Sequence, residues 1–144
     1  MKILVSACLL GRPCRYDGRS VPHGEVIALG EKHTLVPFCP EQAGGLPTPR
    51  PPAELQGERI VNTLGRDVTE EYRRGALAAV DLAKEQGCRW AVLKERSPSC
   101  GPREIYDGSF SRTLVPGKGL TALLLEEAGV RVLGESEAGS LPRK

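Results

Sequence analysis

The stretch Lys2-Ile-Leu-Val-Ser-Ala7, followed directly by Cys8, decides the fold. It is short and apolar, and turn-forming residues follow it at Gly11, Pro13 and Gly18. This combination is typical of a strand that is buried on both faces inside a parallel sheet. The sequence therefore begins with a predicted core strand.

Two later segments repeat the pattern of an apolar strand followed by a cysteine. Residues 34–38 precede Cys39, and residues 90–93 precede Cys100 by a few positions. In parallel sheets of this kind, ligands bind beyond the carboxyl ends of the strands. If the three strands are neighbours, Cys8, Cys39 and Cys100 meet at that edge and form a cluster of thiols.

Helical patterns separate the strands. The further predicted elements are a helix over residues 24–31, a long helix that begins at Asp67 or Thr69 and ends at Gly87, a helix over residues 119–128, and a strand over residues 130–133. Alternating strands and helices favour right-handed crossovers, with helices on both faces of the sheet. We therefore predict one Rossmann-like, three-layer α/β domain whose short, mainly parallel sheet has about four strands and long loops at its C-terminal edge.

Two long segments are predicted to be loops at that edge. Residues 40–62 are rich in proline, which excludes a helix or a central strand on this interpretation, and residues 97–115 form the second loop. Long loops in a compact domain are usually functional. The domain is predicted to span residues 1–134, and residues 135–144 form a polar C-terminal tail that we expect to be mobile.

Composition limits the classes of partner. The 144 residues suffice for one domain, the net charge is +2, and no long basic run is present, which disfavours extended nucleic-acid binding and favours a small molecule. No apolar stretch is long enough for a membrane-spanning helix. An odd number of cysteines, five, indicates a reducing compartment, so we predict a cytoplasmic protein whose thiols are free. No feature specifies the oligomeric state.

The spacing of the cysteines argues against structural zinc, because no Cys-x-x-Cys pair occurs and His23 and His33 lack ligand spacing. Three soft thiolates suit an iron–sulfur cluster with one iron that has no protein ligand and can act as a Lewis acid. Against this stands the reading of each cysteine as a small buried hydrophobe. Cys88 is predicted to be structural. Cys14 is a spare ligand, a sulfur relay or, as the favoured interpretation, a structural or incidental loop residue.

Two polar residues beside these cysteines are candidate catalytic groups. Glu41 follows Cys39 by two positions, where a carboxylate can move protons at a metal site or serve only as a capping or surface acid. Ser97 precedes Cys100 and either orients a substrate or hydrogen-bonds the turn around Pro98. Arg50 is suited to an anionic group such as phosphate, although an ordinary surface charge explains it as well.

Several longer motifs occur in order along nearly the whole chain: Val5-Ser-Ala-Cys-Leu-Leu-Gly11, Arg15-Tyr-Asp-Gly18, Cys39-Pro-Glu41, Gly44-Gly-Leu-Pro-Thr-Pro-Arg-Pro-Pro-Ala-Glu54, Gly65-Arg-Asp-Val-Thr69, Lys94-Glu-Arg-Ser-Pro-Ser-Cys-Gly101, Ile105-Tyr-Asp-Gly108 and Gly117-Lys-Gly-Leu-Thr121. Together they resemble the thiouracil desulfidase family, formerly known only as a domain of unknown function (DUF 523).

The resemblance implies a 4Fe-4S cluster held by Cys8, Cys39 and Cys100, with one open iron. It also implies that Glu41 and Ser97 are the acid and the serine of the site. The implied reaction is non-redox desulfuration of a small thiolated substrate, such as a thiolated uracil or its nucleoside or nucleotide, in which Glu41 moves the proton and Ser97 orients substrate or water. Sulfide and the oxo product are released.

Three other classes of protein remain open at this point. A cluster-bearing electron carrier or sensor needs a fourth ligand, for which Cys14 is the nearby thiol. A cluster-free enzyme would use Cys8 or Cys100 as a nucleophile. A nucleotide-binding module would need none of the cysteines.

Overall fold

The structure, a computed structural model, describes residues 1–141. Its strands are β1 Lys2–Ser6, β2 Thr34–Phe38, β3 Ala53–Gln56, β4 Arg59–Asn62, β5 Trp90–Leu93, β6 Glu104–Tyr106, β7 Leu114–Pro116 and β8 Arg131–Gly134. Its α-helices are α1 Gly24–Ala28, α2 Pro40–Ala43, α3 Thr69–Gln86 and α4 Leu120–Glu127. Short 3-10 helices span Ala7–Leu10, Leu29–Glu31 and Glu135–Ser140.

The central sheet contains four parallel strands in the order β2-β1-β5-β8. In the register of the sheet, Ile3 of β1 lies between Leu35 of β2 and Trp90 of β5. Pro37 is tolerated because β2 is an edge strand, where one side of the backbone needs no partner. The predicted α/β fold with a parallel sheet of four strands is confirmed.

Helices cover both faces of this sheet, so the domain has three layers. Along β1, Ile3 and Val5 pack on one face in a core cluster with Val26 of α1, whereas Leu4 packs on the other face. That second face holds the small residues of α3 and the apolar side of α4. Ile3, Leu4 and Val5 are at most 1% exposed, as expected for a strand buried on both faces.

The two predicted loops contain more structure than their composition suggests. The prediction that residues 40–62 contain no helix is wrong for α2, because Pro40 occupies the first turn, where a helix does not use the missing N–H. Strands β3 and β4 form an antiparallel hairpin outside the central sheet, as do β6 and β7 in the second loop. The prolines thus exclude these segments from the central sheet only.

The predicted polar tail packs against the domain over the part that the structure describes. Residues 135–140 form a 3-10 helix in which Ala138 is 2% exposed, and Leu141 is 6% exposed. These two apolar side chains join the core on the α1 side, although their neighbours are polar. Residues 142–144 lie outside the described part, and the division at residue 134 stays a prediction. Within residues 1–141, no helix combines the length and the hydropathy needed to cross a membrane.

Helices α2 and α3 touch through their backbones. A Cβ atom on Gly75 would lie 1.8 Å from the carbonyl oxygen of Pro40, and one on Gly44 would lie 1.9 Å from that of Glu71. Only glycine permits this approach, so both positions fix α2 against the longer helix. The contact matters because α2 carries Glu41.

Replacement of Gly75 by alanine tests this contact. Alanine favours a helix over glycine, but its methyl group would force α2 away, so we expect Gly75→Ala to lower the free energy of unfolding by about 1–3 kcal/mol in urea denaturation. Gly24 is the matched control because nothing lies within 4 Å of its added Cβ. A Gly75→Ala protein as stable as Gly24→Ala would contradict the close approach.

Candidate active site at the C-terminal edge of the sheet

A cavity of about 480 Å³ opens at the C-terminal edge of the central sheet. Cys8, Cys39 and Cys100 all line it, and they follow the adjacent strands β1, β2 and β5. Cys8 and Cys100 are 7% and 3% exposed, and Cys39 is partly buried. The chain therefore brings together three thiols that are separated by 31 or more positions in the sequence.

Local structure explains how each thiol reaches the cavity. Cys8 lies in the 3-10 helix after β1, which ends at Gly11 with a φ of 98°, a conformation that favours glycine. Cys39 immediately precedes α2. Cys100 lies in a tight turn whose N–H groups at Ser99 and Cys100 both donate to Oγ of Ser97, each at 3.1 Å.

A fourth cysteine, Cys14, also lines the cavity. It is 5% exposed, and its carbonyl oxygen accepts a hydrogen bond from Sγ of Cys39 at 3.7 Å. Of the structural and incidental roles that the sequence favours for Cys14, this burial supports the structural one. Cys88, in contrast, packs in the apolar core between α3 and β5 and does not line the cavity.

The environment of Cys14, Cys39 and Cys100 raises the pKa of each of these three thiols. Burial, followed by the negative charge of Glu41, raises the pKa of Cys100 to about 12. The hydrogen bond with Cys14 and then burial raise the pKa of Cys39. For Cys14, the hydrogen bond with Cys39 lowers the pKa, but the hydrogen bond with Cys8 and burial outweigh it and raise the value to about 11. A protonated thiol is a poor nucleophile, which disfavours Cys100 as the nucleophile of a cluster-free cysteine enzyme.

Glu41 is held by two donors on one oxygen. Its Oε2 accepts a hydrogen bond from the hydroxyl of Tyr72 at 2.8 Å and forms an ion pair with Nη2 of Arg50 at 3.2 Å. Burial, followed by the charge of Glu41, raises the pKa of Tyr72, so the phenol keeps its proton and remains a donor. Glu41 also lines the cavity and is not the solvated surface acid of the alternative interpretation.

The hydroxyl of Ser97 makes the turn contact that the sequence left open, and it also lines the cavity. Its oxygen accepts two N–H groups, which occupy both lone pairs. The hydroxyl proton is therefore directed away from the turn and is available to an acceptor. Both interpretations of Ser97 are compatible with this geometry.

Aromatic and basic side chains complete the cavity wall. They are Tyr16, Tyr106, Phe110, Arg15, Lys94, Arg96 and Arg112. The loop that carries Phe110 is fixed because Oε1 of Glu54 accepts the N–H groups of Gly108 at 3.0 Å and Phe110 at 3.2 Å. Nζ of Lys94 pairs with Glu135 at 3.0 Å.

Sequence reasoning missed the contribution of two residues to this site. Tyr72 lies within the predicted long helix, to which the sequence assigns no role in the site, and Arg50 is predicted as an anion ligand or an ordinary surface charge. The signal for Tyr72 is a polar hydroxyl on a helix face that otherwise buries small residues. For Arg50 the sequence offers no sign that its partner is Glu41.

The donor set suits a multi-iron cluster better than one metal ion. Within residues 1–141, no three His, Cys, Asp or Glu side chains converge closely enough for a single ion. An iron–sulfur cluster binds each thiolate to a different iron, so its ligands surround a larger volume. Three cysteines in the wall of one cavity fit that requirement.

Fold and site together define a small parallel α/β protein with a thiol-lined cavity suited to an iron–sulfur cluster. The chain belongs to the 2-thiouracil desulfurase family, whose model matches residues 3–137. The resemblance that the sequence motifs indicate is therefore confirmed, as is the desulfidase class at the level of the family.

Two relatives are similar over almost the entire chain. The uncharacterized protein YbbK of Bacillus subtilis (strain 168) is 42% identical over 149 residues, which cover 96% of this chain and 99% of that protein. A solved structure described as the [4Fe-4S]-dependent thiouracil desulfidase TudS is 51% identical, with a TM-score of 0.93, and covers 97% of this chain and 94% of its own. The second relative shows that this fold occurs with a cluster-dependent desulfidase.

The raised pKa of Cys100 predicts a loss of stability in alkaline solution. The folded state keeps the proton to about pH 12, whereas an unfolded thiol loses it near 9.0. The stabilisation that comes from the protonated thiol of Cys100 is fully present below the pKa of the unfolded thiol. It is lost as the pH rises toward the pKa of the folded thiol. Between about pH 8 and pH 10 we expect the free energy of unfolding of the parent to fall by about 1.4 kcal/mol more than that of Cys100→Ser. Anaerobic urea titrations of both metal-free proteins measure it, and parallel pH curves would contradict the burial effect.

Proposed function

We propose that this protein catalyses the iron–sulfur-cluster-dependent, non-redox desulfuration of a small thiocarbonyl compound, such as a thiolated uracil or its nucleoside or nucleotide, with release of sulfide. The observation that carries the proposal is the convergence of Cys8, Cys39 and Cys100 on one cavity from three adjacent strands. Family membership and the printed cofactor of the solved relative support it.

The proposed ligands of a 4Fe-4S cluster are these three cysteines. Three thiolates leave one of the four irons without a protein ligand. When bound, the cluster supplies a Lewis acid that polarises the C–S bond of the substrate. The raised pKa values of Cys39 and Cys100 mean that ligation must displace the protons of these two thiols, which is the usual coupling of metal binding to proton release.

The cavity suits a planar, polar heterocycle. Its volume of about 480 Å³ is within the range of small-molecule sites. Tyr16 and Phe110 present aromatic surface for stacking, and the basic residues around them suit carbonyl oxygens or an anionic substituent. These features support a thiolated base or its nucleoside or nucleotide as the class of substrate.

Glu41 transfers protons in the proposed reaction, and Ser97 positions the substrate or the water. Tyr72 and Arg50 both contact Oε2 of Glu41. Within residues 1–141, the other oxygen, Oε1, takes part in no hydrogen bond or ion pair. That oxygen accepts one proton of the attacking water as the C–O bond forms, and then the proton of the resulting hydroxyl as the C–S bond breaks. It passes each proton in turn to the sulfur, which departs as hydrogen sulfide and leaves the C=O product. The hydroxyl proton of Ser97, which the turn does not use, hydrogen-bonds the substrate or the water.

The alternative functions are less well supported. A cluster-bearing electron carrier or sensor needs no substrate cavity, and its fourth ligand would have to be Cys14, whose thiol also lines the cavity. The raised pKa values of Cys100 and Cys14 argue against either of these thiols as a nucleophile. A cytoplasmic location accords with the five free cysteines, which persist in a reducing compartment.

Metal analysis after anaerobic reconstitution tests the proposed ligands. We expect about four irons and four acid-labile sulfides per chain in the parent protein, and a loss of both in Cys8→Ser, Cys39→Ser and Cys100→Ser because each removes a ligand.

Two further cysteine variants make this experiment decisive. Cys88→Ser is the matched control, because Cys88 is buried outside the cavity and its replacement should leave the iron content unchanged. Cys14→Ser separates the candidate functions. Retained iron in this variant supports the three-ligand desulfidase, whereas lost iron favours a fully ligated carrier or sensor. Activity that survives complete removal of iron would overturn the cluster mechanism.

Activity assays on the two candidate catalytic residues test the reaction itself. With thiolated uracil or its nucleotide as substrate and sulfide release as the readout, Glu41→Gln should lower kcat by about 10²- to 10⁴-fold, because general acid–base catalysis is lost. Ser97→Ala should lower kcat per bound iron by roughly tenfold, because the hydrogen bond to the substrate or water is lost. The Glu41→Gln protein should keep the parent iron content, whereas Ser97→Ala also removes the acceptor of the turn that carries Cys100, so its iron content is measured with its activity. Unchanged kcat in Glu41→Gln would remove this residue from the proton transfer.

A further inference from the structure

Arg50 lies at the centre of a buried network beside the cavity. Its side chain is only 3% exposed. Its Nη2 lies 3.2 Å from Oε2 of Glu41 and donates to the carbonyl oxygen of Cys14 at 3.0 Å. Its Nη1 donates to Oγ1 of Thr48 at 3.1 Å and to the carbonyl oxygen of Pro47 at 3.3 Å. One side chain thus joins the loop of Cys14, helix α2 and the proline-rich loop.

We propose that Arg50 is a positioning residue for the reaction, which together with Tyr72 holds the carboxylate of Glu41 in one orientation. This inference rests on the proposed function of Glu41 as the proton carrier. Arg50 and Tyr72 bind the same oxygen, Oε2, from different segments of the chain. The carboxylate cannot rotate without breaking both contacts, so Oε1 is the oxygen presented for proton transfer.

The same geometry argues against an anion site at Arg50. Three hydrogen bonds and the ion pair with Glu41 engage both terminal nitrogens of the guanidinium, with two contacts at each nitrogen. The backbone N–H of Arg50 also donates to the carbonyl of Tyr16 at 2.8 Å. A phosphate or carboxylate group of a substrate would have to displace these partners.

Stability alone is a weak explanation for this residue. A buried ion pair often contributes little net stability, because both charges lose their hydration. In addition, Nε of Arg50 is buried without an acceptor among residues 1–141, which is unfavourable for a charged group. Together with the backbone contact between α2 and Gly75, the network fixes both the main chain and the side chain of Glu41.

The test compares Arg50→Met, Arg50→Lys and Tyr72→Phe with the parent, alone and with Glu41→Gln. In reconstituted protein we expect Arg50→Met to keep the iron content and to keep KM within about threefold, while kcat falls roughly 10- to 100-fold. Arg50→Lys should restore part of kcat, and Tyr72→Phe should lower kcat by about three- to tenfold, because one hydrogen bond to Glu41 is lost. In the Glu41→Gln protein, Arg50→Met should change kcat by less than about twofold, because both act through one carboxylate.

The control for the loss of an arginine–glutamate pair is Arg66→Met. Arg66 pairs with Glu71 at 3.6 Å on the surface, with 74% of its side chain exposed, and it does not line the cavity. Its kcat should equal that of the parent.

Several outcomes would overturn the proposal. Loss of iron in Arg50→Met would assign the residue to the cluster site, and a raised KM with unchanged kcat would assign it to substrate binding. Effects that multiply in the double variant would show that Arg50 acts independently of Glu41. If Arg50→Met does not fold, Tyr72→Phe decides, and unchanged kcat there overturns the proposal.

Infrared spectroscopy separates this inference from the proposed function. The carboxylate band of Glu41 is the difference between the parent and Glu41→Gln spectra, and it should shift in both Tyr72→Phe and Arg50→Met. An unchanged band overturns the positioning role even in an active desulfidase. A shifted band in a fully loaded but inactive parent supports the positioning and overturns the desulfidase function.

Discussion

The parallel pairing of β1 between β2 and β5 is the constraint on which the site depends. Each strand ends at the same edge, and each is followed by a cysteine. Ile3 pairs with Leu35 on one side and with Trp90 on the other, and these registers determine where each strand ends relative to its neighbours. A shift of either pairing by one residue would turn every side chain of that strand to the opposite face. The apolar residues buried on both faces therefore fix the cavity as well as the core.

Outside the sheet, the site relies on contacts that restrict short segments. Helix α2 has only four residues and little stability of its own. Backbone contact through Gly44 and Gly75 holds it against α3, and Arg50 holds its acidic side chain. The turn before Cys100 depends similarly on Ser97, and the loop of Phe110 depends on Glu54. Preorganisation of this kind limits the motion of catalytic groups before substrate arrives.

The sequence predicts those parts of the molecule that local patterns encode. Residues 34–38 and 90–93 are strands as expected, because a short apolar run is typical of a strand that is buried in a parallel sheet. The sequence predicts a loop in place of the hairpin β3–β4, because the segment is rich in proline. Proline argues against a central strand but is compatible with a hairpin outside the central sheet. The contact between Arg50 and Glu41 depends on how the proline-rich loop folds back, and the hydrogen bond from Tyr72 crosses 31 positions. Such pairings arise from tertiary structure and leave no periodic trace in the sequence.

The protonation state of the cavity follows from its charges. Three thiolates beside the carboxylate of Glu41 would repel one another in a buried site, and the raised pKa of Cys100 reflects this after the larger effect of burial. Without metal, the raised pKa values keep the protons on Cys39 and Cys100. In the proposed cluster-bound protein, iron would replace these protons with its own positive charge. The ion pair of Arg50 with Glu41 uses neither the thiol protons nor the iron, so it can hold the carboxylate in the same orientation in both states.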